Sequence, residues 1–154
     1  MGPPPGPKGA GAAAQFLPFD FYREQGTDVQ RVLIADDNSI VRNIIKHFLS
    51  HRPNVAICGE AGNGCELVEK AKLLKPDLVL LDLAMPEMNG AEAASVLKKS
   101  MPDLPIILFT MYSEKVSNQL KSAIGVDAVL SKPDGLTKLA KVVDAVLARC
   151  PPEN

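Results

Sequence analysis

The stretch LVLLDLAMP, residues 78–86, places an aspartate, Asp82, directly behind four apolar residues and meets a proline shortly afterwards. A short apolar run bounded by turn residues is typical of a strand that is buried on both faces. A lone aspartate after such a strand is usually a turn former or a helix cap. Whether Asp82 has a chemical role therefore depends on what the other strands carry at the same position.

Short apolar runs alternate with longer segments of helical period from Arg31 onward. The predicted strands are Val32–Ala35, Val55–Gly59, Leu78–Leu81, Ile106–Phe109 and Ala128–Leu130. The predicted helices are Ile40–Leu49, Glu66–Leu74, Ala91–Lys99, Glu114–Ala123 and Leu136–Ala148, and each follows a capping or turn residue, Ser113 for the fourth. This alternation predicts an α/β domain in which helices cover both faces of a parallel sheet.

Composition excludes several functional classes. Seventeen basic and 18 acidic residues leave a formal charge of −1, so no overall field favours nucleic acid or an anionic membrane. No apolar run approaches the roughly 18 residues of a membrane span. Cys58, Cys65 and Cys150 are odd in number and form no C-x-x-C, which indicates reduced thiols. We therefore expect a cytoplasmic protein without direct nucleic-acid or membrane binding.

The N-terminal residues differ from the rest. The opening MGPPPGPKGAGAAA is rich in Pro, Gly and Ala, which predicts a disordered or weakly ordered extension over residues 1–29. Its aromatic residues are Phe16, Phe19, Phe21 and Tyr22. A docking segment is one interpretation of them; packing on the domain's own surface, a cloning remnant and a start codon assigned too early are the others. The remaining chain is divided into a domain, residues 30–150, and a tail, residues 151–154.

Polar residues follow four of the predicted strands at their carboxyl ends. Asp36 and Asp37 follow the first strand, Asp82 the third, Thr110 the fourth and Lys132 the fifth. In open α/β sheets the ligand crevice lies outside these ends, where the strand order reverses. In a sheet of order 2-1-3-4-5 the three aspartates would converge there, flanked by the threonine and the lysine.

Three carboxylates in one crevice repel one another, since a pair about 4 Å apart costs on the order of 4 kcal/mol at an effective dielectric near 20. One lysine does not offset this repulsion, so either a carboxyl is protonated or a hard divalent cation such as Mg²⁺ binds. A carboxylate beside Mg²⁺ is a nucleophile for phosphoryl transfer, and its product is an aspartyl phosphate. Mg²⁺ and Lys132 would then compensate the phosphoryl oxygens, and Thr110 would offer its hydroxyl.

At these residues the chain resembles the receiver domain of bacterial two-component response regulators, over about Gln30 to Ala148. The motifs that carry the resemblance are VLIADDN, DLVLLDLAMPEMNG, ILFT and VLSKP. The segments CGEAGNG and LLDLAMPEMNG are most similar to receivers that precede a LuxR-type helix-turn-helix. The resemblance implies a flavodoxin-like (βα)5 three-layer sandwich with a five-stranded parallel sheet, and the strand order 2-1-3-4-5 is taken from it.

The resemblance also implies roles for single residues. Asp82 is the phosphoacceptor, and Mg²⁺ is held by Asp37, Asp82 and the backbone carbonyl of Ala84, with Asp36 supporting through water. Thr110 and Lys132 hold the phosphoryl group, as their places at the strand ends also predict. The peptide bond between Lys132 and Pro133 is commonly cis in the family, and that expectation depends on the resemblance alone.

The resemblance further implies partners. The phosphoryl donor is a sensor histidine kinase or a phosphotransfer protein, and the output is a downstream protein target. A homodimer through the face made by the fourth helix, fifth strand and fifth helix is a family expectation. Because only residues 133–154 follow Lys132, we expect no DNA-reading domain downstream, so that the chain is either a stand-alone receiver or a fragment of a longer regulator.

Two positions depart from the family pattern. Val129 stands where an aromatic ring usually moves inward with the threonine, which puts the usual signal path to the surface in doubt. Ala84 stands where a longer side chain often shields the phosphoryl group, and we expect that Ala84→Asn would lengthen the lifetime of the phosphorylated protein.

Other interpretations remain open. A dinucleotide-binding domain would use Gly62-Asn63-Gly64 with Asp82 on the ribose, although Leu67 replaces the third glycine. A phosphatase needs an acid two residues after its nucleophile, which Ala84 does not supply. A degenerate receiver would act as an interaction module without phosphorylation. His47 and His51 have the spacing for a shared metal but no evident third ligand, and a solvated helix face is the favoured interpretation.

Overall fold

The computed structural model describes residues 29–149, so the expectations for the N-terminal extension and the tail lie outside the described residues. The elements follow the predicted alternation. The strands are β1 (Gln30–Ala35), β2 (Val55–Ala61), β3 (Leu78–Leu81), β4 (Ile106–Thr110) and β5 (Ala128–Ser131). The helices are α1 (Ser39–Ser50), α2 (Gly64–Leu74), α3 (Gly90–Ser100), α4 (Asn118–Ile124) and α5 (Gly135–Arg149).

The five strands form one parallel sheet of order β2-β1-β3-β4-β5, which confirms the predicted fold class and strand order. β1, β3 and β4 are buried along their whole length, and this includes the polar residues Gln30, Arg31 and Thr110 at strand ends. One core cluster lies between the sheet and α1 with α5, and a second lies between the sheet and α2, α3 and α4. The domain is therefore a three-layer sandwich.

Side-chain caps explain where the helices begin. Asn38, Asn63, Asn89 and Ser117 each accept a hydrogen bond from a backbone N–H in the first turn of α1, α2, α3 and α4. Short polar side chains at this position satisfy amides that have no partner inside the helix. These caps fix the carboxyl-edge loops from which the helices start.

Two expectations are corrected. The fourth helix was expected over Glu114–Ala123 after Ser113, but Ser113–Lys115 forms a single 3-10 turn and α4 begins only after Ser117. Val116 between them is extended, with φ −100° and ψ 99°, and this breaks the helical run. The peptide bond between Lys132 and Pro133 is trans, since residues 29–149 contain no cis peptide.

Two of the three cysteines lie in the part of the chain that the structure describes. Cys58 is buried, and burial raises the pKa of its thiol to about 11, while Cys65 is exposed. Cys150 lies outside the described residues. Within residues 29–149, no helix combines the length and the apolar character that crossing a bilayer requires.

Candidate functional site

The parallel ladder places two of the aspartates. The N–H of Asp36 donates to the carbonyl of Ala61 at 3.0 Å, and the N–H of Asp82 donates to the carbonyl of Ala35 at 2.9 Å. Each strand pair thus continues for one hydrogen bond beyond β1 and β3. Because parallel strands end at the same edge, this backbone pairing sets the two carboxylates side by side.

The structure brings Asp36, Asp37 and Asp82 together. Each offers a carboxylate oxygen, and these oxygens all lie within 4.8 Å of one another. Asp36 and Asp82 are 2% and 6% exposed, whereas Asp37 is exposed. The cluster is therefore a buried pair of carboxylates with a third at its open side, where an ion could enter from solvent.

Lys132 is the cation of this cluster. Its Nζ lies 2.6 Å from Asp36 Oδ2 and 3.3 Å from Asp82 Oδ2, so one ammonium bridges the two buried carboxylates. Burial lowers the pKa of Lys132, but the hydrogen bond to Asp36 and the charge of Asp82 outweigh it, and the net pKa is raised. Lys132 therefore stays charged at neutral pH.

The pKa of Asp82 is raised even with the lysine beside it. Burial raises its pKa; Lys132 opposes that shift, the charge of Asp36 adds to it, and the Thr110 hydroxyl partly offsets it. The net effect is a pKa above the ordinary value of an aspartate. A raised carboxylate pKa in a crevice marks a site where a further cation would be stabilising.

Thr110 is fully buried at the end of β4. Its Oγ1 accepts a hydrogen bond from the N–H of Tyr112 at 3.1 Å, so the hydroxyl proton can be donated toward the Asp82 side. The hydroxyl is thus oriented by the loop that follows β4. Met111 and Tyr112 in that loop are 54% and 43% exposed, so a shift of Thr110 would be felt at the surface.

Ala84 lies next to the Asp82 carboxylate, and Val129 lies on β5. The N–H of Ala84 donates to Asp82 Oδ1 over 3.4 Å, and the Ala84 side chain is exposed and too short to cover the carboxylate. Val129 on β5 is half-buried and packs against the core on the α4 side. An aliphatic side chain therefore fills the position at which the family usually has a ring.

Two residues that support the cluster were not predicted. Arg42 on α1 donates from Nη1 to the carbonyl of Asp36 and from Nε to Glu60 Oε1 at 3.1 Å, which fixes the acidic loop against β2. A Cβ on Gly90 would lie 2.1 Å from the carbonyl oxygen of Asp82, so α3 can begin there only with glycine. The Asn89-Gly90 turn signal pointed to a helix start, but no sequence signal linked Arg42 to the cluster.

The structure weakens two of the other interpretations. The N–H of Gly62 donates to Glu66 Oε1 at 2.6 Å and the N–H of Gly64 donates to the carbonyl of Met88 at 3.1 Å. The amides that a pyrophosphate would use are therefore already bonded, one of them to a carboxylate. His47 and His51 stack edge to face at 4.7 Å, and the described residues supply no third metal ligand near them.

Comparison with known proteins gives the family. The model of the response regulator receiver domain matches residues 32–144. The chain is 36% identical over 115 residues to response regulator protein VraR of Staphylococcus saprophyticus, covering 73% of the chain and 54% of VraR. It is 33% identical over 121 residues to a protein-glutamate methylesterase/protein-glutamine glutaminase of Clostridium acetobutylicum, covering 77% and 35%. The chain spans about half of VraR and about a third of the esterase.

Solved structures show the same fold. TrrA from Thermotoga maritima, solved in complex with Mg²⁺-BeF, is 32% identical with a TM-score of 0.71, covering 77% of the chain and 100% of TrrA. A LuxR-family two-component response regulator from Aurantimonas is 26% identical with a TM-score of 0.73, covering 78% and 86%. With the sheet order and the matched family model, these likenesses show that the chain belongs to the response regulator receiver domains, the phosphoacceptor domains of two-component systems.

Proposed function

We propose that Asp82 is the phosphoacceptor of this receiver, and that it takes a phosphoryl group from a phosphohistidine of a sensor histidine kinase or a phosphotransfer protein. The observation that carries the proposal is the bridging of Asp82 and Asp36 by Lys132 beside an exposed third carboxylate. A carboxylate oxygen of Asp82 would bond to phosphorus as the bond between phosphorus and the donor imidazole nitrogen breaks. The electron pair of that bond stays on the nitrogen.

The residues fit a magnesium ion. Three carboxylates within 4.8 Å supply hard oxygen donors, and the exposed Asp37 leaves room for waters and phosphate oxygens. Asp37, Asp82 and the Ala84 carbonyl would hold Mg²⁺, with Asp36 supporting through water. When bound, Mg²⁺ would neutralise the charge that develops on the phosphoryl oxygens.

Lys132 and Thr110 would stabilise the transferred group. The Lys132 ammonium already contacts Asp82 and needs only a short movement to reach a phosphoryl oxygen on that carboxylate. The Thr110 hydroxyl, held by the N–H of Tyr112, would donate to a second oxygen. Positioned charge and hydrogen bonds are the main contributions that a protein makes to phosphoryl transfer.

Phosphorylation would change a protein-binding surface. Movement of Thr110 toward the phosphoryl group would pull on the loop that contains the exposed Met111 and Tyr112, next to the face formed by α4, β5 and α5. We propose that this face binds the downstream target or a second copy of the chain. The receiver's own chemistry would then be limited to phosphorylation from a donor and to autodephosphorylation, in the cytoplasm.

The test is phosphorylation by acetyl phosphate with and without Mg²⁺, followed by intact mass and hydroxylamine treatment. We expect one hydroxylamine-sensitive phosphoryl adduct that requires Mg²⁺. Asp82→Asn should lose it, and Asp103→Asn, which changes an exposed aspartate after α3, should retain it. An adduct that forms without metal, or that persists at full yield in Asp82→Asn, would contradict the proposal.

A second candidate function rests on Val129. Because the half-buried Val129 supplies no ring to move with Thr110, an interaction module that ignores phosphorylation is the alternative. Hydrogen exchange at α4 and in the loop of Met111 and Tyr112, measured before and after phosphorylation, separates the two. A change supports the switching receiver, and identical exchange supports the unswitched module.

A further inference from the structure

Helix α1 has apolar side chains on two faces, and only one of them is covered. Ile45 and Leu49 are buried against the sheet, whereas Ile40 and Ile44 are 68% and 50% exposed. Residues four apart lie on the same side of a helix, so the exposed pair forms an outward stripe. Because this stripe borders a groove, it is a candidate contact site.

The stripe is one wall of a surface groove of about 820 Å³. The groove is lined mainly by Ile40, Ile44, Phe48, His51, Pro53 and Leu136. The full lining contains no aspartate or glutamate, and its one arginine, Arg52, is already paired with Asp144. The groove therefore fits an apolar occupant.

The chain enters the described fold beside this groove. The N–H of Gln30, the first residue of β1, donates to the carbonyl of Asn54 at 2.8 Å, and Asn54 directly follows Pro53. The residues before Gln30 are thus joined to the domain at the end of the groove that His51 and Pro53 line. The groove runs along α1 for about 16 Å, since a helix rises about 1.5 Å per residue between Ile40 and His51.

A matching segment lies within reach in the sequence. FLPFDFY, residues 16–22, contains four aromatic side chains, one acidic residue and no basic residue. The eight residues from Tyr22 to Gln30 span up to about 27 Å when extended. This length exceeds that of the groove, so the segment can reach any point on it without strain.

We propose that the aromatic segment Phe16–Tyr22 docks into the groove between α1 and Leu136 of the same chain. Its rings cover Ile40 and Ile44, and its single acid lies toward the imidazole rings of His47 and His51. This intramolecular contact gives a purpose to an apolar helix face that the fold itself leaves uncovered. The contact does not depend on phosphorylation of Asp82.

The test is NMR on the full chain, with the isoleucine methyls ¹³C-labelled and the aromatic rings unlabelled. It measures NOEs between these methyls and ring protons, and the methyl chemical shifts. We expect NOEs from the Ile40 and Ile44 methyls to ring protons of residues 16–22, and ring-current shifts of those methyls. The variant F16S/F19S/F21S/Y22S should remove both, leaving only contacts to Phe48, while the core methyls of Ile57 and Ile106 stay unchanged. The matched control P3S/P4S/P5S should leave the methyls of Ile40 and Ile44 as they are.

Changes on the groove side complete the test. Ile40→Gln with Ile44→Gln alters only exposed positions and should release the ring resonances, whereas Ile40→Leu with Ile44→Leu should retain the contact. The proposal is overturned if the four aromatic substitutions leave the Ile40 and Ile44 methyl shifts unchanged. It is also overturned if the NOEs persist when the chain with ¹³C isoleucine methyls carries deuterated aromatic rings and is mixed with unlabelled chain, because the occupant is then a second copy.

Discussion

Repulsion among the three aspartates affects the stability of the domain when no metal is bound. Asp36, Asp37 and Asp82 share one described cation, Lys132, and the pKa of Asp82 remains raised despite it. Without metal, each carboxylate beyond the first adds repulsion that the fold must overcome. The cluster therefore lowers the stability of the metal-free domain, as functional sites often do.

Neutralising the exposed member of the cluster should stabilise the metal-free protein. We expect Asp37→Asn to raise the free energy of unfolding by about 1 kcal/mol, because solvent screens part of the repulsion. In a thermal melt this corresponds to an increase in Tm of about 3–5 °C. Added Mg²⁺ should then raise the Tm of the unchanged chain more than that of the variant.

Asp103→Asn is the matched control for this charge change, since Asp103 is exposed and lies outside the cluster. It should affect neither the metal-free melt nor the response to Mg²⁺. A metal-free Tm that falls in Asp37→Asn would show that Asp37 stabilises the domain rather than straining it.

Gly90 is required by a close backbone approach. A Cβ at this position would lie 2.1 Å from the carbonyl oxygen of Asp82 and 2.8 Å from the Cα of Leu83, and backbone atoms cannot move aside cheaply. We expect Gly90→Ala to cost about 3 kcal/mol in urea unfolding, at the upper end for overpacking. It should also reduce phosphorylation of Asp82.

Gly62→Ala supplies the comparison for Gly90, because its Cβ would meet only side-chain atoms at 3.7 Å and 3.8 Å. Its cost should stay below about 1 kcal/mol. Equal costs for the two substitutions would mean that the close approach to Asp82 does not set the requirement for glycine at position 90.

The residues of the cluster could be predicted because their position depends on strand ends, which the sequence marks clearly. Asp36, Asp82 and Thr110 each follow an apolar run, and the sheet edge brings them together. Arg42 could not be predicted, because its partners are set by how α1 packs on β2. The sequence around an arginine in a helix is the same whether its side chain contacts a functional site or solvent.

At the scale of elements, the start of α4 shows the limit of local patterns. Ser113 and Ser117 are both competent caps, and Glu114 and Lys115 favour a helix after the first. In the structure the first serine begins only a 3-10 turn, and the hydroxyl of Ser117 accepts from the N–H of Leu120 at 3.0 Å. Tertiary packing of α4 on the core decides between them.

The two serines should respond differently to removal of the hydroxyl. Ser117→Ala should lower the free energy of unfolding by about 1 kcal/mol, the usual cost of a lost N-cap. It should also speed hydrogen exchange in the short helix α4. Ser113→Ala is the control and should have almost no effect. If Ser113→Ala were the more costly of the two, the helix would begin at Ser113, as the sequence suggests.

The ends of the strands differ from the prediction for a related reason. β2 extends to Ala61 rather than Gly59, and β1 begins at Gln30 rather than Val32. These extra residues pair across the ladder, Gln30 with Val55 and Ala35 with Ala61. Where a strand ends depends on its pairing with the neighbouring strand. An apolar run predicts only which residues of the strand are buried.

At the scale of the whole molecule, ion pairs connect the helix layer to the sheet. Glu60 on β2 accepts from Arg42 at 3.1 Å and from Lys46 at 2.9 Å, both on α1. Burial raises the pKa of Glu60, but the two cations outweigh burial and the net pKa is lowered. A lowered pKa means that the ionised form contributes to stability above the unfolded value of 4.5.

Glu60→Gln should therefore destabilise the domain in a pH-dependent way. At pH 7 we expect a loss of about 1 kcal/mol in urea unfolding, because the pair is partly exposed. The difference between the two proteins should shrink as pH falls below 4.5 and through the lowered pKa of Glu60. Glu69→Gln, at an exposed position of α2, should show no such trend. A difference that stays constant down to pH 3 would exclude the ion pairs as its cause.

The loop after Asp82 is anchored at its far end. The carbonyl of Met88 accepts from Gly64 at 3.1 Å, and the N–H of Gly90 donates to the carbonyl of Leu83 at 2.8 Å. Residues 84–87 lie between these anchors, and Glu87 there has a positive φ of 66°. Extra residues inserted between Pro86 and Glu87, which are both exposed, would bulge into solvent, whereas a single insertion between Met88 and Gly90 would shift the register of α3 and move the floor of the acidic crevice. Length variation is therefore tolerable on one side of Met88 and not on the other.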